Sequence, residues 1–331
     1  MCPQTPNFTT HYQIELRGLS ALTHRFSFFL VHYITYDANQ GIMFANACKK
    51  AMKFTHPCVV STRTVDGTLK SSVATYFFIS KTGWAITAAH VFSQLQKFNY
   101  DREHIKEVNE KRQAAEAAHM PCSMAMDPKW ITNHSIWWGF DGIRESQIHL
   151  FLDADLAAVK LENVPPQFIQ EVAVFGNPDE LRIGSSLCRI GFPFVDLEPK
   201  FENNNFILDQ GVRNLVPFPL DGIFTRGLLC KVNDHITIKQ IETSSPGLKG
   251  QSGGPLFDTN GTVMGMQVRT QHIPLGFAPH IKDNGVDYVE HQFINTGVAL
   301  HASVIMQKLI SKGVPFETVS KGADGASYII N

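Results

Sequence analysis

Gly250-Gln251-Ser252-Gly253-Gly254-Pro255-Leu256 sets a serine among glycines immediately before an apolar run. Glycines in such a stretch let the backbone come close to a substrate and turn its N–H groups toward one point, while the serine oxygen stands exposed. Alone, the stretch also reads as a tight hairpin turn. Two others shift that balance. Trp84-Ala85-Ile86-Thr87-Ala88-Ala89-His90 ends an apolar strand on a histidine, and Asp153-Ala154-Asp155-Leu156-Ala157-Ala158-Val159 opens another on carboxylates. A nucleophilic serine needs a base, and the base needs a partner that fixes its tautomer and stabilises the imidazolium. Taken singly, His90 reads as a capped or solvent-facing histidine and the aspartates as turn residues. All three residue types together make acyl-transfer chemistry the sharper reading.

The surrounding chain can fold around such a site. Its 331 residues correspond to two domains or one large double domain. With 44% hydrophobic and 18% charged residues and no long low-complexity tract, wholesale disorder is excluded. Twenty-nine Lys and Arg against 30 Asp and Glu leave a net charge of −1, too balanced to drive binding to nucleic acid or anionic lipid. The six cysteines, Cys2, Cys48, Cys58, Cys122, Cys188 and Cys230, form no C-x-x-C pair and none stands at metal-ligand spacing from a histidine. They read as reduced, partly buried thiols, and no metal is expected. The apolar run Phe26 to Ile34 contains His32 and is too short to span a membrane. As a signal peptide it has Arg17 and Arg25 before it and Ala45-Asn46-Ala47 after it, a thin basic start and a long gap, so secretion is the minor alternative to a cytoplasmic location.

Residues 1 to 40 show no sustained period. Gly41 to Phe54 has helical spacing, ended by His56-Pro57. Beyond it, short apolar runs are separated by turn residues: Cys58 to Thr62, Val73 to Ser80, Trp84 to Thr87, Ile148 to Leu152, Ala157 to Leu161, Ser186 to Ile190, Leu228 to Val232, Ile236 to Glu242 and Thr262 to Val268. The chain is therefore mainly β. Asp101 to Ala118 reads as an exposed charged helix and Ser303 to Ser311 as a C-terminal helix. Glu162 to Asp179, with Pro165-Pro166 and Asn177-Pro178, reads as the linker between two halves.

The segments T-A-A-H, D-L-A and G-x-S-G-G, in the order His, Asp, Ser, resemble the trypsin-like serine proteases. The resemblance is closest to the HtrA (Deg) branch and related intracellular trypsin-like peptidases, and runs from about Cys58 to Ile310. Arg189-Ile190-Gly191-Phe192-Pro193-Phe194, Thr225-Arg226-Gly227-Leu228-Leu229, Glu242-Thr243-Ser244-Ser245-Pro246-Gly247 and Asn295-Thr296-Gly297-Val298-Ala299-Leu300 also look like that branch. The resemblance implies an all-β fold of two six-stranded antiparallel barrels, chymotrypsin-like, with the site between them. On that plan residues 1–54 are an N-terminal extension, 55–165 the first barrel with a helical insertion over about 98–140, 166–312 the second barrel and terminal helix, and 313–331 a tail. The resemblance further implies that Ser252 is the nucleophile, His90 the base and Asp155 its orienter. The Gly250 and Ser252 N–H groups would form the oxyanion hole, an acyl-enzyme would follow, and no cofactor is needed. Asp153 and Asp155 would share a face in an extended segment, and Leu156-Ala157 favours Asp155.

Several positions depart from the secreted members. Gln251 replaces an aspartate that pairs with a newly cut N-terminus, and no Ile-Val-Gly-Gly stretch is present, so activation by that ion pair is not expected. Leu248 and Val91 replace cysteines, in keeping with a disulfide-free protein. The residues after Ile310 are too few for a PDZ domain. Pro246 stands at the base of the primary pocket, where a basic P1 side chain would lack a counter-charge. Gln267, Val268, Arg269 and Thr270 form the other wall, and Arg269 or Lys249 would admit an acidic side chain only if turned inward. A small or medium apolar P1 residue is the expectation. The partner is thus a protein or peptide substrate. A catalytically silent binding module and an effector switched on by an unidentified activating partner are the alternatives.

Overall fold

The computed structural model describes residues 43–208, 212, 215–234, 236–283, 285–321 and 327–330. The segment 1–40 and the run Phe26 to Ile34 lie outside the described residues. The first barrel is built from β1 (Thr55–Thr64), β2 (Leu69–Phe78), β3 (Trp84–Ala88), β4 (Ile131–Trp137), β5 (Arg144–Phe151) and β6 (Leu156–Glu162). They form one six-stranded antiparallel sheet in the order β4-β1-β2-β3-β6-β5. No ladder joins β4 to β5 among the described residues, so the sheet stays open at that seam.

The second barrel uses β7 (Ser186–Gly191), β8 (Phe218–Lys231), β9 (Thr237–Thr243), β10 (Pro255–Phe257), β11 (Val263–Pro274) and β12 (Phe293–His301). Here the short β10 pairs with both β7 and β11, which closes the ring β7-β8-β9-β12-β11-β10. One continuous apolar cluster runs through both barrels, from Phe77, Ile86 and Leu156 to Ile190, Met266 and Leu300. Burying each such side chain contributes about 1.5–3 kcal/mol.

The helical spacing at Gly41 to Phe54 is realised as α1 (Ala45–Ala51), whose Ala47, Cys48 and Ala51 are buried. Cys48 Sγ lies 3.9 Å from Cys188 Sγ on β7, and all five described cysteines are free. The charged helix, α2 (Ser93–Ala117), begins eight residues before Asp101. The reason is local: the single 3₁₀ turn carrying His90 leads straight into it, with no breaker between. The helix is not a purely solvated face. Asp101 is buried, ion-paired with Lys97, and accepts the Ile131 N–H at 2.7 Å, tying α2 to β4. Trp138 is buried, with its carbonyl taking the Tyr76 hydroxyl at 2.8 Å, while Trp137 is half-buried and donates to Asp141. Trp138 thus belongs to the core of the first barrel, against Tyr76 and Phe92.

The stretch expected as a linker does more than connect. Ala173 N donates to Phe78 O at 2.8 Å, and Val174-Phe175 pairs in parallel with both Val263 and Glu317-Thr318. The tail contributes strands at Glu317–Lys321 and Ser327–Ile330. The C-terminal helix is α3 (Ala302–Ile310), capped by His301 Nδ1 accepting Ser303 N. Among the described residues no helix is long and apolar enough to cross a membrane, and no cluster of three or more His, Cys, Asp or Glu could hold a metal.

Candidate active site

β3 is buried throughout, and its backbone stays extended through Ala88 before turning at Ala89–Phe92. That turn brings His90 out at the strand end. β6 lies beside β3 with Leu156 opposite Ala88, so the residue before Leu156 meets the residues after Ala88. Asp155 there is left-handed, φ 50° and ψ 42°, a region aspartate tolerates better than most side chains. Its Oδ2 lies 2.8 Å from His90 Nδ1, its Oδ1 accepts the His90 backbone N–H at 2.9 Å, and its carbonyl accepts Ala89 N at 3.1 Å. A carboxylate only accepts, so Nδ1 carries the proton and Nε2 is left as the ring's acceptor. Asp153 faces elsewhere: its Oδ2 is 2.5 Å from Lys308 Nζ on α3.

The serine loop runs from β9 to β10. Gly253 has φ 84°, and a Cβ there would strike the Thr75 carbonyl and the Thr87 hydroxyl, with Ala88 N at 2.9 Å. Only glycine fits. Thr75, on β2 of the other barrel and fully buried, grips the loop twice: its N–H donates to Ser252 O at 2.9 Å and its hydroxyl to Gly250 O at 2.7 Å. Thr87 Oγ1 in turn donates to Thr75 O at 2.7 Å. Gln251, also fully buried, braces the loop from inside. Its Oε1 accepts Leu248 N at 3.0 Å and its Nε2 donates to Phe218 O at 3.3 Å.

These bonds leave a particular pair of donors over. The Gln251, Gly253 and Gly254 N–H groups donate to Leu248, Gln267 and Gln251 carbonyls at 2.8–2.9 Å. Those of Gly250 and Ser252 have no acceptor among the described residues. Ser252, Gly250 and His90 line one cleft of about 270 Å³ with Val73, Gln94 and Lys249. The structure thus gathers His90, Asp155, Ser252 and Gly250 at one place.

The pocket residues divide. Lys249 is exposed on the cleft, and Pro246 and Thr270 are half-buried, with Thr270 Oγ1 donating to Gly247 O at 2.5 Å. Gln267 is buried, Val268 joins the apolar core, and Arg269 is exposed with Nη2 donating to Gln240 Oε1 at 2.8 Å. Sequence reasoning missed Thr75 and Thr87, because their role depends on a contact between residues 75 and 250–253 that no local pattern announces. It also gave Arg189 no role.

Residues 74–266 match the family described as "Trypsin-like peptidase domain". The HtrA-type protease AlgW with tripeptide superposes with a TM-score of 0.43 at 18% identity over 82% of this chain, which spans 64% of that protein. The Rv3671c protease from M. tuberculosis, active form, gives 0.46 at 15% identity, over 86% of this chain and 92% of that one. Among curated proteins none matches the sequence. Since the family match spans more than half of the chain, the protein belongs to the trypsin-like peptidase family and is a serine-type peptidase.

Proposed function

We propose that the protein is an endopeptidase that cleaves proteins or peptides through Ser252, His90 and Asp155 and an acyl-enzyme. Ser252 Oγ attacks the carbonyl carbon as His90 Nε2 takes its proton. The Gly250 and Ser252 N–H groups receive the oxyanion, and His90 returns the proton to the leaving amine before water releases the acyl group. The observation that carries this reading is the double hold of Asp155 on His90, through Nδ1 and the backbone N–H, beside a serine whose loop keeps two donors unspent. No metal or organic cofactor enters any step. The free thiols of Cys48, Cys58 and Cys188 support a working place in a reducing compartment such as the cytoplasm.

The test is labelling with a fluorophosphonate probe. The folded protein is expected to be modified at Ser252, and Ser252→Ala to remove the label. A well-folded preparation that takes no label and cleaves no peptide would leave a silent binding module as the better account.

A further inference from the structure

Arg189 stands in the middle of β7 and is 1% exposed, yet no carboxylate among the described residues lies against it. Its Nη1 donates to Gln267 Oε1 at 2.8 Å, and its Nη2 to the Thr243 hydroxyl and, at 3.4 Å, to Ser245 Oγ. Every one of these acceptors is neutral. Nε is buried and has no partner among the described residues. Burial draws the guanidinium down to about 10, which still leaves it charged at neutral pH. A buried cation without its counter-ion is costly, and proteins rarely keep one without a use.

The nearest buried acid is already spent. Glu242, one residue before Thr243, gives Oε1 and Oε2 to Arg226 at 2.9 and 3.0 Å, and also receives the Thr225 and Thr296 hydroxyls. Two arginines therefore approach this end of β9, and only the half-exposed one has a carboxylate.

The location gives the free cation its meaning. The guanidinium presses on Gly297, where a Cβ would overlap Nη1, with Cζ and Nη2 each at 2.6 Å. Gly297 lies opposite Thr243 on one side and Thr270 on the other. Gln267, which holds Nη1, also stands directly over Gly247, and Gly247 is tied to Thr270. The residues expected around the primary pocket, Pro246 and Gln267 to Thr270, thus adjoin or include the groups that hold Arg189, Ser245 and Gln267. Gln267 is itself tied to the serine loop, since Gly253 N donates to its carbonyl at 2.8 Å.

We propose that Arg189 is the charged floor of the primary specificity pocket and that the enzyme cleaves after glutamate or aspartate. The proposal rests on the peptidase reading above. A P1 carboxylate supplies the anion that Arg189 lacks, replacing neutral acceptors with a charge-assisted pair. A P1 lysine or arginine meets a buried like charge, and an apolar P1 leaves the guanidinium without an anion. Sequence alone favoured a small or medium apolar P1, because the two cations it considered, Lys249 and Arg269, are surface residues.

The experiment compares peptides identical except for Glu, Gln, Ala or Lys at P1. With the wild-type protein, kcat/KM for Glu is expected to exceed that for the near-isosteric Gln by about 10–100-fold, the range of a buried charged hydrogen bond. Arg189→Gln is expected to bring that ratio close to one. In parallel, the Glu and Gln peptides are titrated against Ser252→Ala protein by fluorescence polarisation, with the Glu peptide expected to bind more tightly. Turnover that favours Ala, or that treats Glu and Gln alike, overturns the acidic pocket and keeps the peptidase. Selective binding of Glu without fluorophosphonate labelling or turnover keeps the pocket and overturns the peptidase. Neither binding nor turnover overturns both. Should Arg189→Gln fail to fold, the wild-type ratio and the binding comparison decide alone.

Discussion

The two barrels contain six strands each and are finished differently. The first is left open between β4 and β5, carries α2 as an insertion, and supplies His90 and Asp155 from neighbouring strand ends. The second closes through a strand of three residues and supplies Ser252 from the loop just before it. His90 and Asp155 are thus held by a local β3–β6 pairing, whereas Ser252 is held by long-range bonds, some of them from the other barrel. The first arrangement is written in adjacent strands. The second exists only once both barrels are in place.

The strongest test of that contrast is chemical. Ser252→Ala and His90→Ala are each expected to lower kcat by about 10⁶, since members of a triad act as a unit. Next, Asp155→Asn should favour the wrong imidazole tautomer and cost about 10⁴ in kcat with little change in melting. Asp153→Asn should leave turnover nearly intact and instead loosen the Lys308 contact to α3, seen as a small fall in Tm. If the two results exchange, the local account of His90 is wrong.

Thr75→Val probes the long-range half. It leaves Gly250 O without its hydroxyl donor, and about 1–2 kcal/mol of stability should be lost in denaturant titration. A roughly tenfold loss in kcat should accompany it, because a slackened loop misplaces the oxyanion donors. Unchanged turnover would mean that the inter-barrel brace does not position Ser252.

The smallest effect concerns acid. In the first barrel the His56 ring lies against Tyr76, Phe78 and Phe168, and burial lowers its pKa to about 4. The unfolded state, near 6.5, then binds the proton more readily. Stability from this group is complete above about pH 6.5 and is lost as pH falls toward about 4. In the second barrel Glu242 is raised by burial but lowered further by Arg226 and Thr225, with a net shift downward, so its contribution is lost only below the ordinary carboxylate range. All four tryptophans lie between residues 84 and 138, so indole fluorescence reports the first barrel. That signal should soften between about pH 6 and 4, before far-ultraviolet dichroism reports loss of the second barrel; coincident transitions would show that the barrels melt as one unit.

What sequence could reveal follows the same division. The strand ending on His90 and the strand opening on Asp155 are readable because each is an uninterrupted apolar run, and their antiparallel pairing brings the two residues together. The glycines around Ser252 are readable because the turn demands them. Thr75 and Arg189 look like ordinary strand residues, since what distinguishes them is a partner 175 or 78 positions away. The early start of α2 was hidden for a different reason: Ser93 to Tyr100 mixes polar and apolar residues without a helical stripe, and the helix continues there from the preceding turn.

The three-residue strand β10 also sets a timetable. It begins three positions after Ser252 and is complete only when β11, ending at Pro274, has been made and paired with it. Gly253 depends on the same late strand through Gln267 O. A ribosome-bound chain can fold its first barrel, His90 and Asp155 included, while Ser252 is still unplaced. Ser252 takes its place only after β11 has been made, when His90 and Asp155 can already be in position.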